Sequence, residues 1–374
     1  MQDSRNRCKG VRVDVIIRDN STCVYCGTVL RKSEIELDHI IPFSIWDCYE
    51  LYNLACSCNT CNENKRDNLL DYDRYCEIQR KIGYEPIINK EEYNKLKVKH
   101  EEYKAQKAKL KEQSQYINLI RKYKDYFESW LSVPIEQILQ NTGIQIFSNV
   151  GRTLKPDGWM TFIPVCGFES DGSLFISCIP EWEDEIRLLL KDSALSDSLN
   201  KIEQFSEEKT SLAFFNHAFF GLNRLNPNID TKEVTLLNNS HFDAYIEFYR
   251  KANPNLCAII DPYEFISEDF QERVDSKIHF CIFENDKMVS VTTSDNLPNK
   301  PTGLIQLGID TLKDYRRKGY AEKVCAAFIN YYLEHDILPV WNCYLDNSAS
   351  VGLAKKLGFC HIGNEFFVSS ATEV

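Results

Sequence analysis

Four cysteines near the start of the chain form two Cys-x-x-Cys pairs, and 31 residues separate the pairs. They are Cys23, Cys26, Cys58 and Cys61. Two such pairs on tight turns supply the four thiolates that a tetrahedral Zn²⁺ ion needs. The sequence therefore predicts a structural zinc site, and zinc is expected to fold this region because so short a segment buries little apolar core.

Disulfide bonds are the alternative use of these cysteines. The chain opens on a polar segment with no apolar signal sequence, and it contains no long apolar run. These features predict a cytoplasmic protein without a membrane span, in which thiols stay reduced. Metal binding is favoured on this ground. The nearby Cys48 and Cys56 lack a partner at matching spacing and are predicted to be packing residues.

Polar side chains suited to hydrolysis lie between the cysteine pairs. Asp38 and His39 follow an alternating apolar stretch and precede Ile-Ile-Pro, a pattern that predicts a strand entering a turn. A carboxylate and an amide such as that of Asn62 suit a hard, Mg²⁺-like ion, and an imidazole titrates near neutral pH. This segment therefore predicts a catalytic metal site beside a general base.

The segment resembles the HNH endonucleases, whose order of CxxC, DH-I-x-P, N-L and CxxCN-x-x-K occurs here within residues 12–67. The resemblance implies a ββα-metal (His-Me finger) domain in which His39 is the general base and Asn53 orients it. It also implies that Asp38 and Asn62 hold a catalytic divalent ion, Mg²⁺ or another. The last family position is Asn rather than His, a substitution that the family allows. A zinc module that binds nucleic acid or protein without cutting is the alternative.

A second set of residues, suited to binding phosphate, lies about 250 residues later in the chain. There an apolar strand, a basic turn with a glycine and a helix follow one another. The turn consists of Arg316, Arg317, Lys318, Gly319, Tyr320 and Ala321. Backbone amides at a helix N-terminus bind phosphate oxygens, and glycine lets the backbone approach closely. A solvated basic surface is the alternative interpretation of the turn alone.

This second region, residues 234–368, resembles the GNAT acyltransferases. The turn matches the family's R/Q-x-x-G-x-A/G pyrophosphate loop, and the segment from Asn347 to Phe359 matches its final strand-helix-strand unit. The resemblance implies an acetyl-CoA site formed by the turn and by Asn347.

The residue that donates a proton is not assigned by the GNAT pattern. Many family members carry a tyrosine where this chain has Ala354. Asp310, Cys343 and Tyr344 are candidate substitutes, although each fits strand packing or the surface better. The general acid and the acyl acceptor stay open.

Length and composition predict a multidomain α+β protein, because 374 residues exceed the usual size of a single core. Strand-like stretches at 144–148, 160–166 and 173–179 precede a helical stretch at 182–191. The predicted domains are an HNH nuclease domain, a helical linker, a small α/β subdomain and a GNAT domain with its α/β acyltransferase fold, at residues 1–80, 81–133, 134–206 and 207–374.

The linker contains a long helical pattern rich in Lys, Glu and Gln, with apolar residues at Leu96, Tyr103, Leu110 and Ile117. A second stripe of positions along the same predicted helix is apolar only in its C-terminal half. A self-pairing coiled coil, and hence a homodimer, is one interpretation. A charged spacer that packs by its C-terminal half is the favoured one.

Charge is distributed unevenly. Residues 1–130 carry 23 basic and 21 acidic side chains, whereas residues 131–374 carry 21 basic and 34 acidic ones. The first part is better suited to phosphate contact, although its small excess excludes tight binding to nucleic acid by charge alone.

Together these features predict a metal-dependent endonuclease acting on nucleic acid, with DNA favoured over RNA. The GNAT domain is expected to modify a target or to regulate cleavage. By analogy, the protein is expected to be a bacterial defence or toxin effector that acts with a partner protein. The alternative is an acetyltransferase whose zinc module only delivers it to a substrate bound to nucleic acid. A regulator whose domains only bind is the third hypothesis.

Overall fold

The computed structural model describes residues 11–156, 161–170, 172–209, 212–294, 297, 301 and 303–369. The chain forms two compact units, residues 1–114 and 115–374. No helix within the described ranges is long and apolar enough to cross a membrane.

The first unit contains a two-stranded antiparallel sheet followed by helices. Its strands are β1 (Glu36–His39) and β2 (Leu54–Ser57), and its helices are α1 (described over residues 11–18), α2 (Asn59–Lys65), α3 (Tyr72–Lys81) and the first part of α4 (Lys90–Lys122). The register pairs Asp38 with Ala55 and His39 with Leu54. A buried apolar cluster beneath the sheet includes Ile40, Ile41 and Tyr75. This ββα arrangement agrees with the predicted nuclease fold.

The helix α4 confirms the predicted long helical segment. Leu96 and Tyr103 pack against the core of the first unit, whereas Leu110 is 59% exposed. Its last turns, with Leu119 and Ile120, are buried in the core of the second unit. The helix therefore packs at both ends rather than along a continuous apolar stripe, whereas the sequence predicts a charged spacer that packs by its C-terminal half.

The second unit contains two sheets. A seven-stranded sheet has the order β10-β12-β6-β13-β4-β5-β3, and a four-stranded sheet has the order β11-β9-β8-β7. The strands are β3 (Gly143–Ser148), β4 (Val165–Ser170), β5 (Ser173–Cys178), β6 (Ala213–Leu222), β7 (Thr235–Leu236), β8 (Phe280–Glu284), β9 (Lys287–Thr293), β10 (Leu304–Gln306), β11 (Gly308–Thr311), β12 (Leu338–Tyr344) and β13 (Phe359–Ser369).

Helices cover both faces of these sheets. They are α5 (Lys124–Leu131), α6 (Ile135–Gln140), α7 (Glu183–Leu190), α8 (Leu195–Lys209), α9 (Phe242–Ala252), α10 (Pro254–Cys257), α11 (Pro262–Asp275), α12 (Tyr320–Glu334) and α13 (Ser348–Leu357). Short 3-10 turns lie at Leu51–Asn53, Val150–Thr153, Pro180–Trp182, Asn239–His241 and Lys313–Tyr315.

Strands of the predicted subdomain at residues 134–206 do not form a sheet of their own. β4 pairs along its length with β13, and β6 lies between β12 and β13. The predicted boundary at residue 206 therefore falls between strands of one continuous sheet. The strand expected at 160–166 is observed later, as β4, and residues 157–160 lie outside the described part of the chain.

The chain crosses from one sheet to the other at Leu307. β10 pairs in parallel with the start of β12, and the Leu307 amide donates to the Val340 carbonyl at 3.0 Å. β11 then pairs with β9 in the four-stranded sheet, while β12 continues beside β6. We call the gap between β11 and residues 341–344 the sheet opening.

Candidate functional site

The four predicted zinc ligands lie together in space. Their Sγ atoms are all within 4.8 Å of one another, and those of Cys26 and Cys58 are 3.9 Å apart. Sulfurs of a tetrahedral site with Zn–S bonds of about 2.3 Å are separated by about 3.8 Å. The donor set and its spacing therefore fit Zn²⁺.

Local backbone geometry produces this cluster. Gly27 has φ +78°, a conformation that favours glycine, and its amide donates to the Cys23 carbonyl at 2.8 Å. The Cys58 sulfur caps the start of α2 by accepting from the Cys61 amide at 3.4 Å. A contact of 3.2 Å with the Thr28 hydroxyl lowers the pKa of Cys26 to about 6, which favours the thiolate that binds metal.

Asp38 is a buried carboxylate with cationic and phenolic partners. It is 7% exposed, and the Tyr25 hydroxyl donates to it. The Lys65 ammonium lies 3.0 Å from Asp38 Oδ2 and also donates to the His39 carbonyl at 2.7 Å. Tyr25 and Lys65 therefore position the predicted metal ligand and offset the cost of burying its charge.

His39 lies in different surroundings, since adjacent strand residues project to opposite sides of a sheet. Phe43 and Tyr49 flank its ring with centroid distances of 5.6 and 5.4 Å. Its Nε2 atom is buried without a hydrogen-bond partner in the described structure. Burial lowers the pKa of His39 below its usual value, although the Asp38 charge opposes this shift. The imidazole is therefore neutral near pH 7 and able to accept a proton.

Asn62, on α2, faces the same side of β1 as Asp38. Its Nδ2 atom donates to the carboxylate of Glu36, which leaves its Oδ1 atom as an oxygen ligand. Glu36 was not predicted as a site residue. The signal for it is its position two residues before Asp38, which places both carboxylates on one face of the strand. Oxygen donors from Asp38 and Asn62 suit a Mg²⁺-like ion.

Asn53 is buried and holds the loop that follows His39. Its Oδ1 atom accepts from the Ile41 amide at 2.9 Å, and its Nδ2 atom donates to the carbonyls of Ile41 and Cys48 at 3.1 Å each. These contacts engage the loop backbone rather than the imidazole, and the orientation of His39 by Asn53 stays a prediction.

The predicted phosphate turn has the backbone that such a site requires. Arg317 and Gly319 have φ angles of +64° and +85°, and α12 starts directly after Gly319 without a side-chain cap. A Cβ atom added at Gly319 would meet no atom within 4 Å, so the turn is open. The Lys318 ammonium and the Tyr320 hydroxyl both donate hydrogen bonds to the Glu284 carboxylate, at 3.4 and 2.6 Å.

The remaining predicted cofactor residues lie near this turn or follow β12. Arg316 and Arg317 are exposed, and the Arg316 side chain donates to the Thr311 carbonyl at 3.0 Å. Ala321 lies in the first turn of α12, whereas Asn347 caps α13 by accepting from the Ser350 amide at 3.1 Å. The open turn with its uncapped helix fits a pyrophosphate such as that of acetyl-CoA.

The candidate proton donors differ in exposure. Ala354, where many related proteins carry a tyrosine, is fully buried in the core. Asp310 lies exposed on β11, and Tyr344 is 42% exposed at the end of β12. Cys343 is half-buried, and burial raises the pKa of its thiol. Tyr344 is therefore the most accessible of the candidates on β12.

Family models match two parts of the chain. Residues 23–73 match the HNH endonuclease model, and residues 179–364 match the GNAT acetyltransferase model. The chain thus contains a domain of the HNH endonuclease family followed by a domain of the GNAT acetyltransferase family. Both family resemblances predicted from the sequence are confirmed.

Individual relatives resemble only parts of the chain. The uncharacterized N-acetyltransferase YdfB of Bacillus subtilis (strain 168) is 36% identical over 80 residues, which make up 21% of this chain and 30% of that protein. This chain therefore matches less than a third of the length of that curated relative.

Among solved structures, a GNAT acetyltransferase from Colwellia psychrerythraea has a TM-score of 0.39 at 15% identity, over 67% of this chain and 96% of that one. The putative acetyltransferase yncA from Salmonella typhimurium, solved with acetyl-CoA, has a TM-score of 0.30 at 14% identity, over 39% and 96% of the two chains. The assignment of the two domains is based on the family models.

Replacing Cys26 and Cys58 together by serine is expected to remove bound zinc and to lower the Tm of the first unit, because two of four thiolates are lost. Elemental analysis and thermal unfolding of the full chain measure both effects. Cys48→Ala is the matched control, since Cys48 is buried outside the cluster and its removal leaves the ligands intact. Full zinc content in the double variant would contradict the assignment.

Asn53→Ala is expected to lower the free energy of unfolding by about 1–3 kcal/mol, because it leaves buried backbone groups of the loop without partners. Chemical denaturation of the full chain, monitored by the unfolding of the first unit, measures the change in the free energy of unfolding. Asn64→Ala removes an exposed amide from α2 and should change stability little. Equal effects of the two substitutions would show that the loop does not depend on Asn53.

Proposed function

We propose that this chain is a metal-dependent HNH endonuclease that hydrolyses phosphodiester bonds of nucleic acid, coupled to a GNAT domain that binds acetyl-CoA. The observation that carries the proposal is the set of Asp38, His39, Asn53 and Asn62 on one ββα unit with a four-cysteine cluster. A binding module has no need of a buried imidazole with a vacant acceptor atom.

The chain's own residues support water-activated hydrolysis. The neutral His39 ring accepts a proton from water through Nε2, and the resulting hydroxide attacks the phosphorus atom. The P–O bond to the leaving sugar oxygen breaks, and that oxygen takes up a proton from solvent. Asp38 and Asn62 would hold a divalent ion, Mg²⁺ or another, which would stabilise negative charge on the scissile phosphate. Asn53 keeps the loop after His39 in place, and Lys65 holds Asp38 in position.

We further propose DNA as the favoured substrate and Zn²⁺ as the structural ion. The GNAT domain either modifies a target or regulates cleavage through acetyl-CoA binding, in a defence or toxin effector of the cytoplasm with a partner protein. Support for regulation comes from a nuclease domain and a cofactor-binding domain in one chain. Homodimerisation through α4 belongs to the same proposal, with a charged spacer as its alternative, and the exposure of Leu110 in the single chain is compatible with both.

A second candidate function is acetyl transfer to a substrate bound to nucleic acid, with the HNH module serving only for delivery. The open turn before α12 favours it, because this feature is suited to bind acetyl-CoA whether or not the nuclease cuts. The two functions differ in which substitution abolishes the activity of the protein.

His39→Ala is expected to reduce metal-dependent cleavage by about 10²-fold or more, because no general base remains. The measurement is cleavage of double-stranded DNA, single-stranded DNA and RNA by the zinc-loaded chain with Mg²⁺ or Mn²⁺, with and without acetyl-CoA. The variant should retain its zinc, which controls for folding. Unchanged cleavage in the variant would exclude His39 as the base, and cleavage of none of the substrates by the wild-type chain would favour the second function.

Gly319→Ala is expected to weaken acetyl-CoA binding at least tenfold, because the new Cβ strains a residue at φ +85° and intrudes on the phosphate turn. Isothermal titration calorimetry measures the Kd. Gly352→Ala, at an exposed helical glycine with equal space around it, is the matched control and should leave the affinity unchanged. Equal affinities of all three proteins would place the cofactor elsewhere.

A further inference from the structure

Three polar side chains form a row across neighbouring strands of the seven-stranded sheet. His217 on β6 is directly opposite Tyr344 of β12 on one side and Glu365 of β13 on the other. Directly opposite residues of antiparallel strands share a face of the sheet. The His217 and Tyr344 rings are 4.6 Å apart at 72°, and His217 Nδ1 lies 4.0 Å from Glu365 Oε1. We call these residues the His217 row.

The inner end of the row is a buried carboxylate. Glu365 is 3% exposed and accepts from the Tyr126 hydroxyl of α5 and from the Asn342 amide of β12. Burial raises the pKa of Glu365 to about 7, although these two hydrogen bonds oppose the shift. A carboxylate in such a place is costly unless it is partnered, and its ionised form stabilises a protonated imidazole beside it.

The outer end of the row is accessible. The His217 side chain is 17% exposed and Tyr344 is 42% exposed, so exposure decreases from Tyr344 to Glu365. Asn342, two residues before Tyr344 on the same face, has a buried Oδ1 atom without a partner in the described structure. An unsatisfied buried acceptor beside an accessible imidazole is suited to receive an N–H donor from a bound molecule.

The row borders the sheet opening from the face opposite to α12. Trp341 packs in the core beneath α12, whereas Asn342 and Tyr344 alternate to the other face, where α5 supplies Tyr126. Residues 341–344 form one wall of the opening. A thioester that enters from the α12 side would therefore meet an acceptor that arrives from the row side.

We propose that His217 is the general base that deprotonates the acyl acceptor, a primary amine bound beside Asn342 and Tyr344, and that Glu365 positions its imidazole. This inference rests on the proposed binding of acetyl-CoA. It supplies the catalytic group that the acyltransferase motifs leave unassigned, since the usual tyrosine position is the buried Ala354.

The reaction balances with these groups. His217 takes one proton from the ammonium form of the acceptor, and the free amine attacks the thioester carbonyl. The C–N bond forms, the C–S bond breaks, and the second nitrogen proton passes to the leaving thiolate to give free CoA. The Tyr344 ring packs against His217, and its hydroxyl is the donor for that last transfer, with its own proton replaced by the one from nitrogen.

The test measures CoA release from acetyl-CoA by the full chain with spermidine, a lysine-containing peptide or benzylamine as acceptor. His217→Ala is expected to lower kcat by about 10²-fold or more, with an unchanged Kd for acetyl-CoA. Added imidazole should restore part of the rate. Hydroxylamine, which is unprotonated at neutral pH, should react nearly as fast with the variant as with the wild-type chain.

His361→Ala is the matched control, because His361 lies exposed on β13 and contacts Phe220 in the core on the opposite face. It should leave CoA release unchanged. Glu365→Gln keeps the shape of the side chain and should lower kcat without changing KM for acetyl-CoA, whereas a purely structural loss would lower the amount of folded protein.

The outcomes separate this inference from the function on which it rests. If the wild-type chain does not bind acetyl-CoA, the proposed cofactor is wrong and the inference falls with it. If it binds acetyl-CoA but releases no CoA with any of these amines, His217 is not a transferase base and the domain acts as a sensor. Full activity of His217→Ala, or loss that imidazole does not rescue, would also overturn the assignment.

Discussion

Four sulfur atoms within 4.8 Å of one another are the constraint on which the first unit depends. Thiolates so close together repel unless a cation lies between them, and the sheet described in this unit has just two short strands, each of four residues. Cys58 links the cluster to the start of α2, and α2 carries both Asn62 and Lys65. The cysteine cluster therefore fixes the start of α2, and an ion bound to it would determine where Asn62 and Lys65 lie relative to Asp38.

An analogous dependence in the second unit involves β6. This strand lies between β12 and β13 and supplies the middle residue of the His217 row. It precedes the strands of the cofactor site by many residues in the chain, so the sheet brings together segments that no local motif connects. Removal of the segment before residue 207 would take β3, β4 and β5 from the sheet and expose one long edge of β13.

The sequence predicts local chemistry well and long-range pairing poorly. The two cysteine pairs, Asp38 and His39 lie within one short segment, where spacing and strand alternation determine which side chains meet. The turn around Gly319 is predictable for the same reason, since a glycine before a helix imposes its own backbone. By contrast, the sequence does not reveal that residues 134–206 belong to the larger sheet rather than to a separate subdomain. The pairing of β4 with β13 that joins them involves residues about 200 positions apart. Glu365 is not predicted because its partners are defined by the fold, whereas strand alternation places Glu36 beside Asp38 but does not reveal its contact with Asn62.

The two histidines illustrate how surroundings determine the use of one side chain. His39 is packed between aromatic rings, and loss of hydration lowers the pKa of its imidazole, which favours the neutral ring. His217 instead lies between an accessible tyrosine and a buried carboxylate, which would stabilise the imidazolium after proton transfer. Glu365 accepts two hydrogen bonds, but the Asn342 Oδ1 atom beside it is buried without a partner in the described structure, and a core designed for stability alone would place apolar residues there. Such an unsatisfied polar group at the margin of the sheet opening is expected of a functional site rather than of a core that serves stability alone.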